Sequence, residues 1–472
     1  MAEPNMNDET NELDAVFGHG SSGIDAAVRA QSSNALFVRS QHQLSRYNHN
    51  SRGRILNAKE ALRIFGWSLL RELADKSAVT TIRDGNSVYE SINAQIKSLG
   101  LDLPQVAKQI KLSKDSQSRF LNKQQVPFKD LARLVQKINL NENLLGIAAN
   151  SASDSRLANR LRTLKTVEPQ IFTPSLVLAF AEAAWVINQQ YDLKNIVEES
   201  SFRFTDKFTT SDDYGNKLMP DYQKGYQLAN ETRRLLDIGS HEPIHSITEL
   251  IENRLNIPVI QMEFNSHIGG ATIASGRNRG IVVNTKGDNQ DPFIRRMTLA
   301  HELGHLLWDP DPKLNQVVVD RYDHIKSDTM ATSLDHVERR ANAFAIELLA
   351  PGDAVIREFE KNGSGPEAVE KVMASYGVGK TALTYHLRNR SHNRIDMIGT
   401  SINHVSTEDW EGRESLATPL FPASVPLSRR GKISYYIMMA HQHRHISDDT
   451  AAILFGCEIE DLMKSIKCAQ NY

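Results

Sequence analysis

The sequence predicts an α+β protein that is mostly helical. Apolar residues recur at helical spacing in long stretches such as 57–74 and 174–190. Three short runs resemble strands separated by turn residues, at 257–264, 271–274 and 280–284. We therefore expect a helical amino-terminal part, a domain that combines helices with a small sheet, and a helical carboxy-terminal tail.

Composition and charge exclude several classes of protein. The chain has 472 residues, enough for two to four domains, with 40% hydrophobic and 24% charged residues and a net charge of −2. These values are typical of a soluble globular protein without overall nucleic-acid or membrane character. The two cysteines, Cys457 and Cys468, give no reason to infer an oxidising compartment. Residues 1–14 do not resemble a signal peptide and no run reaches the length of a membrane span, so we expect a cytoplasmic protein.

The strongest chemical signal is the string His301-Glu302-Leu303-Gly304-His305. Residues four apart lie on the same face of a helix, so both imidazoles can reach one metal ion, with Glu302 beside them. An alternative is an exposed helix that carries two surface histidines. The flanking positions are apolar, however, and charged groups among apolar neighbours are normally paired or bound to a metal. The spacing therefore favours a zinc site of the hydrolytic type, with the helix ending before Pro310.

A hydrolytic zinc site has three protein ligands, and we favour Glu338 as the third. It begins a second strong helix, which Pro351 ends. Small and apolar residues share the face of Glu338 and would let the two helices pack closely, whereas Glu347 lies off that face. Spacing alone leaves other donors in the connecting segment open: Asp309, Asp311, Asp320, Asp323, His324, Asp328, Asp335 and His336.

These two segments resemble the ImmA/IrrE family of zinc metallopeptidases. The resemblance is carried by 296–305 and by Glu338-x-x-Ala341-Asn342-x-Phe344-Ala345-x-x-Leu348-Leu349-x-Pro351. It implies a zincin-like metallopeptidase domain over residues 220–395, with His301, His305 and Glu338 as zinc ligands and Glu302 as the catalytic general base. Asn342 would orient a ligand or serve packing. Gly379 departs from the family, which more often has a helix-capping serine at this position.

Residues 88–146 resemble an Xre-type, or lambda-repressor-like, helix-turn-helix domain, with a turn at 111–113 between two short helices. In that family the helix after the turn enters the major groove of DNA. The resemblance thus implies DNA contacts by Ser113, Lys114, Ser116, Gln117 and Ser118, with Asp115 among them. Residues 93–137 contain nine basic and three acidic residues, an excess that suits phosphate contact.

Two positions weaken this resemblance, because Gln117 stands where the family is usually apolar and Lys123 replaces a frequent glycine. A helical packing domain, or one that docks another protein, is the alternative. The triplet His441-x-His443-x-His445 is interpreted as surface histidines, and residues 446–466 as a docking or dimerisation element. The expected organisation is a loosely ordered segment 1–53, a helical region 54–149, a linker with a helical block 150–219, a metallopeptidase 220–395 and a helical tail 396–472.

The predicted function is that of a DNA-binding, zinc-dependent endopeptidase and regulator. By resemblance, its substrate is a helix-turn-helix repressor that is cleaved in a stress or phage-related response. Whether that repressor is a separate protein or this chain's own domain is open, as is homodimer formation. Two alternatives remain: a transcription factor with a non-catalytic zinc sensor domain, and a protein-binding module of the toxin-antitoxin type.

Overall fold

The chain folds into two units, one formed by residues 1–200 with 420–472 and the other by residues 201–419. The computed structural model describes residues 6–470 with the exception of 20, 24, 39–54, 69, 72–80, 83–84, 125, 141–151, 199–207, 209–218, 265–266, 276–277, 310–317, 322–334, 404, 415–420, 444 and 447. Helices dominate both units, and the second contains a small mixed sheet. This confirms the predicted α+β, mostly helical class. Among the described residues, no helix is long and apolar enough to cross a bilayer.

The first unit begins with a small α+β subdomain. Its elements are α1 (Met6–Phe17), α2 (Ala26–Ser32), β1 (Leu36–Val38), β2 (Ile55–Asn57), α3 (Ala58–Phe65) and β3 (Thr81–Ile82), with β1 in the centre of an antiparallel sheet. Buried side chains form a core of their own: Leu13, Val16, Phe17, Ala30 and Phe37. The described residues between 6 and 38 thus form two helices and a strand, within the segment 1–53 that the sequence predicted to be disordered or loosely ordered. The few apolar residues there are spread over two helices and a strand, and they become neighbours only after folding.

Four short helices follow, with the predicted turn between the second and the third. They are α4 (Gly85–Ser98), α5 (Leu103–Gln109), α6 (Lys114–Leu121) and α7 (Phe128–Lys137). Asp102 caps α5, Ser113 caps α6, and Lys111 adopts the left-handed conformation that makes the turn tight. From the apolar residues of this region the sequence predicts one small core; most of them are buried, including Ile92, Val106, Phe120 and Leu134, but Leu121 is 69% exposed and is not part of the core. Two longer helices follow, α8 (Ala152–Val167) and α9 (Pro174–Glu198).

The second unit places a four-stranded sheet against a central helix. Its first half contains α10 (Asp221–Leu235), α11 (Ile247–Glu249) with a π turn at Leu250–Arg254, β4 (Val259–Met262), β5 (Ile268–Ser275), β6 (Asn278–Asn284) and α12 (Pro292–Trp308). A fourth strand, β7 (Val318–Arg321), completes the order β4-β6-β5-β7, in which only the β4–β6 pair is parallel among the described strands. The first three strands overlap the segments predicted from sequence, and β5 and β6 extend beyond them. β7 was not predicted.

The remaining helices of this unit complete the core on the other side of α12. They are α13 (Asp335–Leu349), α14 (Gly352–Lys361), α15 (Pro366–Tyr376), α16 (Lys380–Arg390) and α17 (Glu408–Arg413). α13 packs against both α10 and α12. The contact with α10 is so close that a Cβ atom at Gly225 would stand 2.3 Å from the carbonyl oxygen of Arg340. Glycine at this position is therefore needed for the helix packing.

A buried ion pair fixes the amino-terminal half of α12. The Arg296 guanidinium and the Glu414 carboxylate are both fully buried and hydrogen-bonded to each other. Arg296 also donates to the carbonyl oxygens of Gly377 (3.0 Å) and Ile244 (2.7 Å), while Glu414 accepts from the backbone N–H of Ile247 (2.7 Å). Burial lowers the pKa of Arg296 to about 10, although Glu414 opposes this shift, so the guanidinium stays charged at neutral pH.

The carboxy-terminal segment returns to the first unit from residue 420, rather than forming a separate tail from 396. Its helices are α18 (Lys432–Gln442), α19 (Asp448–Phe455) and α20 (Leu462–Ala469). Glu182 of α9 bonds Lys137 of α7 at 2.6 Å and Arg429 at 3.2 Å, and Gln136 donates to the carbonyl oxygen of Ile453 at 3.3 Å. The tail therefore packs with the helix-turn-helix region.

Replacing Glu414 with alanine should strongly destabilise the second unit, because it leaves the Arg296 guanidinium buried without its carboxylate. We expect the free energy of unfolding to fall by about 3–5 kcal/mol, measured by urea unfolding of the full chain. Glu411→Ala is the matched control, since Glu411 pairs with Arg295 at 2.9 Å but is 54% exposed. It should change stability by less than about 1 kcal/mol, and an equal effect of both variants would refute the role of the buried pair.

Candidate metal centre

The His-Glu-x-x-His string lies in the carboxy-terminal half of α12, deep in the second unit. Asp291 caps this helix, Pro292 occupies its first turn, and every residue from Arg295 to Trp308 is buried. His301, Glu302 and His305 are each 0% exposed. Two imidazoles and a carboxylate thus stand in an apolar core, where an ionised group without a partner is strongly unfavourable.

The donor atoms of three side chains converge on one point. The Nε2 atoms of His301 and His305 are 3.0 Å apart, and Glu338 Oε2 on α13 lies 3.3 Å from the first and 3.7 Å from the second. Ligands at about 2.0–2.1 Å from a tetrahedral zinc ion stand roughly 3.3 Å from one another. Glu338 Oε2 is itself a buried atom. The donor set and its spacing therefore fit zinc, with a fourth position left over.

Burial raises the pKa of Glu338, but hydrogen bonding to His301 and His305 outweighs this and holds the pKa well below its usual range. The carboxylate is therefore ionised at neutral pH and can act as an anionic ligand. Among the described residues, these three are the one group of His, Cys, Asp or Glu with the geometry to hold a metal ion. The triplet His441, His443 and His445 is not such a group in the described part of the chain.

A second layer of side chains orients the imidazoles. Asn342 Oδ1 lies 2.9 Å from His301 Nδ1, and Asp309 Oδ2 lies 2.9 Å from His305 Nδ1. Arg340 in turn bonds Asp309. If each Nδ1 carries the proton and donates it, each Nε2 has its lone pair free for a metal. Sequence reasoning offered Asn342 for this role but considered Asp309 only as a direct ligand.

The carboxylate of Glu302 contacts β5. Thr272 Oγ1 donates to Glu302 Oε2 at 2.8 Å. A Cβ atom at Gly270 would stand 2.7 Å from Glu302 Oε1, so the glycine leaves the space that the carboxylate uses. Residues 270 and 272 alternate along the strand and share the face that meets α12. The strand therefore positions Glu302, a relation that was not foreseen from sequence.

Two other donors considered from sequence, His336 and Glu347, have partners outside the centre. His336 is exposed and bonds Asp221. Glu347 lies 3.4 Å from His386 and 3.5 Å from Arg390. Burial lowers the pKa of that histidine to about 3, so it is neutral at physiological pH. The remaining positions in the connecting segment either fall outside the described residues or have side chains that are not described: Asp311, Asp320, Asp323, His324, Asp328 and Asp335.

A cavity of about 790 Å³ lies beside the centre in the same unit. It is lined by the starts of α10 and α12, by α13 and α16, and by residues near 403–407. Asn342, His336 and Arg339 reach its wall, so it adjoins the α13 residues around Glu338. His301, Glu302, His305 and Glu338 are not among its described lining residues.

Of the five predicted DNA-contact residues, three are exposed to solvent and two face the interior of the bundle. Ser113, Lys114 and Ser118 are exposed, as is Asp115. Ser116 is buried and donates to Asp130 at 2.6 Å, and Gln117 is half-buried and donates to the carbonyl oxygen of Leu112 at 2.9 Å. The two inward residues therefore stabilise the bundle, and only the exposed ones face solvent.

Residues 252–388 match the family model of the IrrE N-terminal-like domain, Peptidase M78. This segment runs from the π turn before β4 into α16 and contains His301, Glu302, His305 and Glu338. It covers less than a third of the chain and lies within the second unit. No curated protein matches the chain. The class of protein indicated by this part of the chain is thus a peptidase.

We expect purified wild-type protein to contain about one zinc ion per chain, as for a site with three protein ligands. His301→Ala and Glu338→Ala should each lose it, because two ligands cannot retain the ion through dialysis. His336→Ala is the control, since this nearby exposed histidine should leave the zinc content unchanged. Elemental analysis by mass spectrometry gives the readout, and full occupancy in Glu338→Ala would place the third ligand elsewhere.

Proposed function

We propose that the second unit is a zinc-dependent endopeptidase. The observation that carries this proposal is the convergence of His301, His305 and Glu338 on one point, with Glu302 held beside them by β5. The match of residues 252–388 to a peptidase family model supports the same class of activity. The spacing of the three donors supports zinc as the metal.

Each residue of the centre would have its own role in peptide hydrolysis. His301, His305 and Glu338 would hold the ion, and Asn342 and Asp309 would keep both imidazoles in the orientation that exposes Nε2. Bound zinc supplies Lewis-acid chemistry, which acidifies water and polarises a carbonyl group. Glu302 would take the proton of the attacking water as general base and return it to the leaving amine. The hydrogen bond from Thr272 would hold the carboxylate of Glu302 in position for this transfer.

The substrate that the family resemblance suggests is a transcriptional repressor with a helix-turn-helix, cleaved in a stress or phage-related response. A non-catalytic zinc sensor and a protein-binding module of the toxin-antitoxin type are the rival functions. Both rival functions need the folded unit, and the sensor also needs the metal. Neither needs the carboxylate of Glu302.

Glu302→Gln therefore separates these functions. We expect it to keep wild-type zinc content while cleavage of fluorescently labelled casein by the full chain falls by about 10²–10⁴-fold, because the general base is lost. Ser375→Ala is a control: it removes a hydroxyl that bonds Glu358, away from the centre, and should leave cleavage unchanged. Regulation that survives in the zinc-loaded Glu302→Gln protein would favour the sensor, and a stable partner complex independent of Glu302 would favour the binding module.

DNA binding through α6 is a second proposal. The observation that favours it is a set of exposed basic side chains on and around the helix-turn-helix: Lys108, Lys111, Lys114, Arg119 and Lys123. Two of these are partly neutralised, since Arg119 pairs with Asp115 at 2.8 Å and Lys123 lies 3.5 Å from Glu90. Lys114, in the first turn of α6, is the best-placed phosphate contact.

Lys114→Ala should weaken binding to a short labelled DNA duplex and reduce the slope of log affinity against log salt by about one. The reason is that one fewer phosphate charge is neutralised and one fewer counterion is released. Fluorescence anisotropy across a salt series measures both quantities. Lys59→Ala, an exposed lysine on α3, is the control. A wild-type protein that shows no salt-dependent binding would indicate a protein-docking role for the bundle.

A further inference from the structure

The strand that positions Glu302 has one edge joined to the rest of the sheet. β5 pairs along its inner edge with β6, from Gly270 opposite Val283 to Ser275 opposite Asn278. Its residues Gly270 and Thr272 are the two that contact Glu302. Any peptide main chain that aligns with β5 beside Glu302 must therefore use the outer edge.

That outer edge is occupied by the chain itself. β7 pairs antiparallel with β5, and Asp320 stands opposite Gly270 while Val318 stands opposite Thr272. The two β5 residues that contact Glu302 are thus the same two that face β7 across the ladder. β7 and β6 thus flank these two residues on opposite edges of β5.

A peptide bond can be hydrolysed by this centre only if its carbonyl group comes within reach of Glu302, directly or through one water molecule. An extended segment that adds to the edge of β5 would meet this condition, because main-chain hydrogen bonds would hold it parallel to the strand. The edge of β5 would then be the binding position for an extended substrate, and β7 pairs with this edge in the same way.

We propose that β7 occupies the substrate position on β5 in the resting chain, so that an extended segment of the substrate binds only after it displaces β7. This inference rests on the proposed peptidase function and adds its regulation and the form of its substrate. The substrate is a segment that can become extended and offer its own backbone N–H groups, rather than a helix presented intact.

Two features make displacement feasible. β7 is an edge strand of four residues, and its ladder with β5 is interrupted by a register shift between Ile268 and Gly270. A short and irregular ladder has few hydrogen bonds to lose. β7 nevertheless competes as part of the same chain, at an effective concentration on the order of millimolar. A free peptide at micromolar concentration would then leave β7 in place, which predicts low basal activity.

The test uses a cysteine pair across the ladder. Ala271 stands directly opposite Val319, one residue away from the positions that face Glu302. Opposite residues in antiparallel strands have Cα atoms about 4.5–5.5 Å apart, which lies within the range that a disulfide spans. The full chain would carry Ala271→Cys and Val319→Cys, with Cys457→Ala and Cys468→Ala to remove its own thiols. Each single-cysteine variant in the same background is a control for folding.

The first readout is the rate of disulfide formation, with Glu302→Gln added to prevent cleavage. A synthetic peptide with the sequence of residues 315–324 is the competitor. At millimolar concentration, comparable to the effective concentration of β7, it should slow disulfide formation about twofold or more. A scrambled peptide should have no effect. A disulfide that does not form, or forms equally fast with either peptide, would overturn the proposal.

The second readout is cleavage of labelled casein by the zinc-loaded cysteine pair with Glu302 intact. Oxidation should reduce cleavage at least about tenfold, because a covalently held β7 cannot leave, and a phosphine reductant should restore it. Equal cleavage in both forms would overturn the proposal and place the substrate elsewhere, for example on the other edge of β7. If neither form cleaves, the peptidase function itself fails, and the peptide competition still decides whether β5 binds extended segments.

Discussion

The buried pair of Arg296 and Glu414 is the constraint on which the arrangement of the second unit depends. Arg296 lies in α12, and its guanidinium bonds backbone oxygens from two other segments as well as Glu414. Glu414 caps backbone N–H groups at the start of α11. One ion pair therefore joins α12 to the parts of the unit that surround it. Separating the pair would leave an unpaired charge in the core. The pair therefore fixes the position of α12 relative to these segments.

The carboxy-terminal half of α12, which this pair holds in place, contains two of the candidate metal ligands. The two histidines are one turn apart on α12, and the third donor comes from α13, which packs closely enough to reach them because Gly304 leaves room for the ring of Phe344. The carboxylate of Glu302 is placed by a different element, β5. Ligands and general base are thus supported by separate parts of the fold, so a change in β5 can alter catalysis while the metal stays bound.

Sequence predicted the parts of the site that depend on spacing within a helix. His301, Glu302 and His305 follow from one helical turn, and Glu338 from the pattern of the next strong helix. The contacts that depend on tertiary packing were not predictable: Thr272 beside Glu302, and Asp309 as a partner of His305 rather than a ligand. The run Val317-Val318-Val319 is a strand signal that could have indicated β7. In the helix-turn-helix, Ser116 and Gln117 lie on the face of α6 that packs against the other helices. Which face of a short helix is buried depends on tertiary packing, so their inward position was not predictable from spacing.

The first unit is built from two pieces of chain, since residues 420–472 pack with residues 1–200. A ribosome therefore releases the helix-turn-helix region long before the helices at 432–469 that pack with it, and this unit can finish folding only after residues 420–472 have been synthesised. The same arrangement has a consequence for a chain that is cut. A single break anywhere in residues 201–419 would leave the two pieces of the first unit associated through their shared core, so nicked and intact protein would migrate together until denatured.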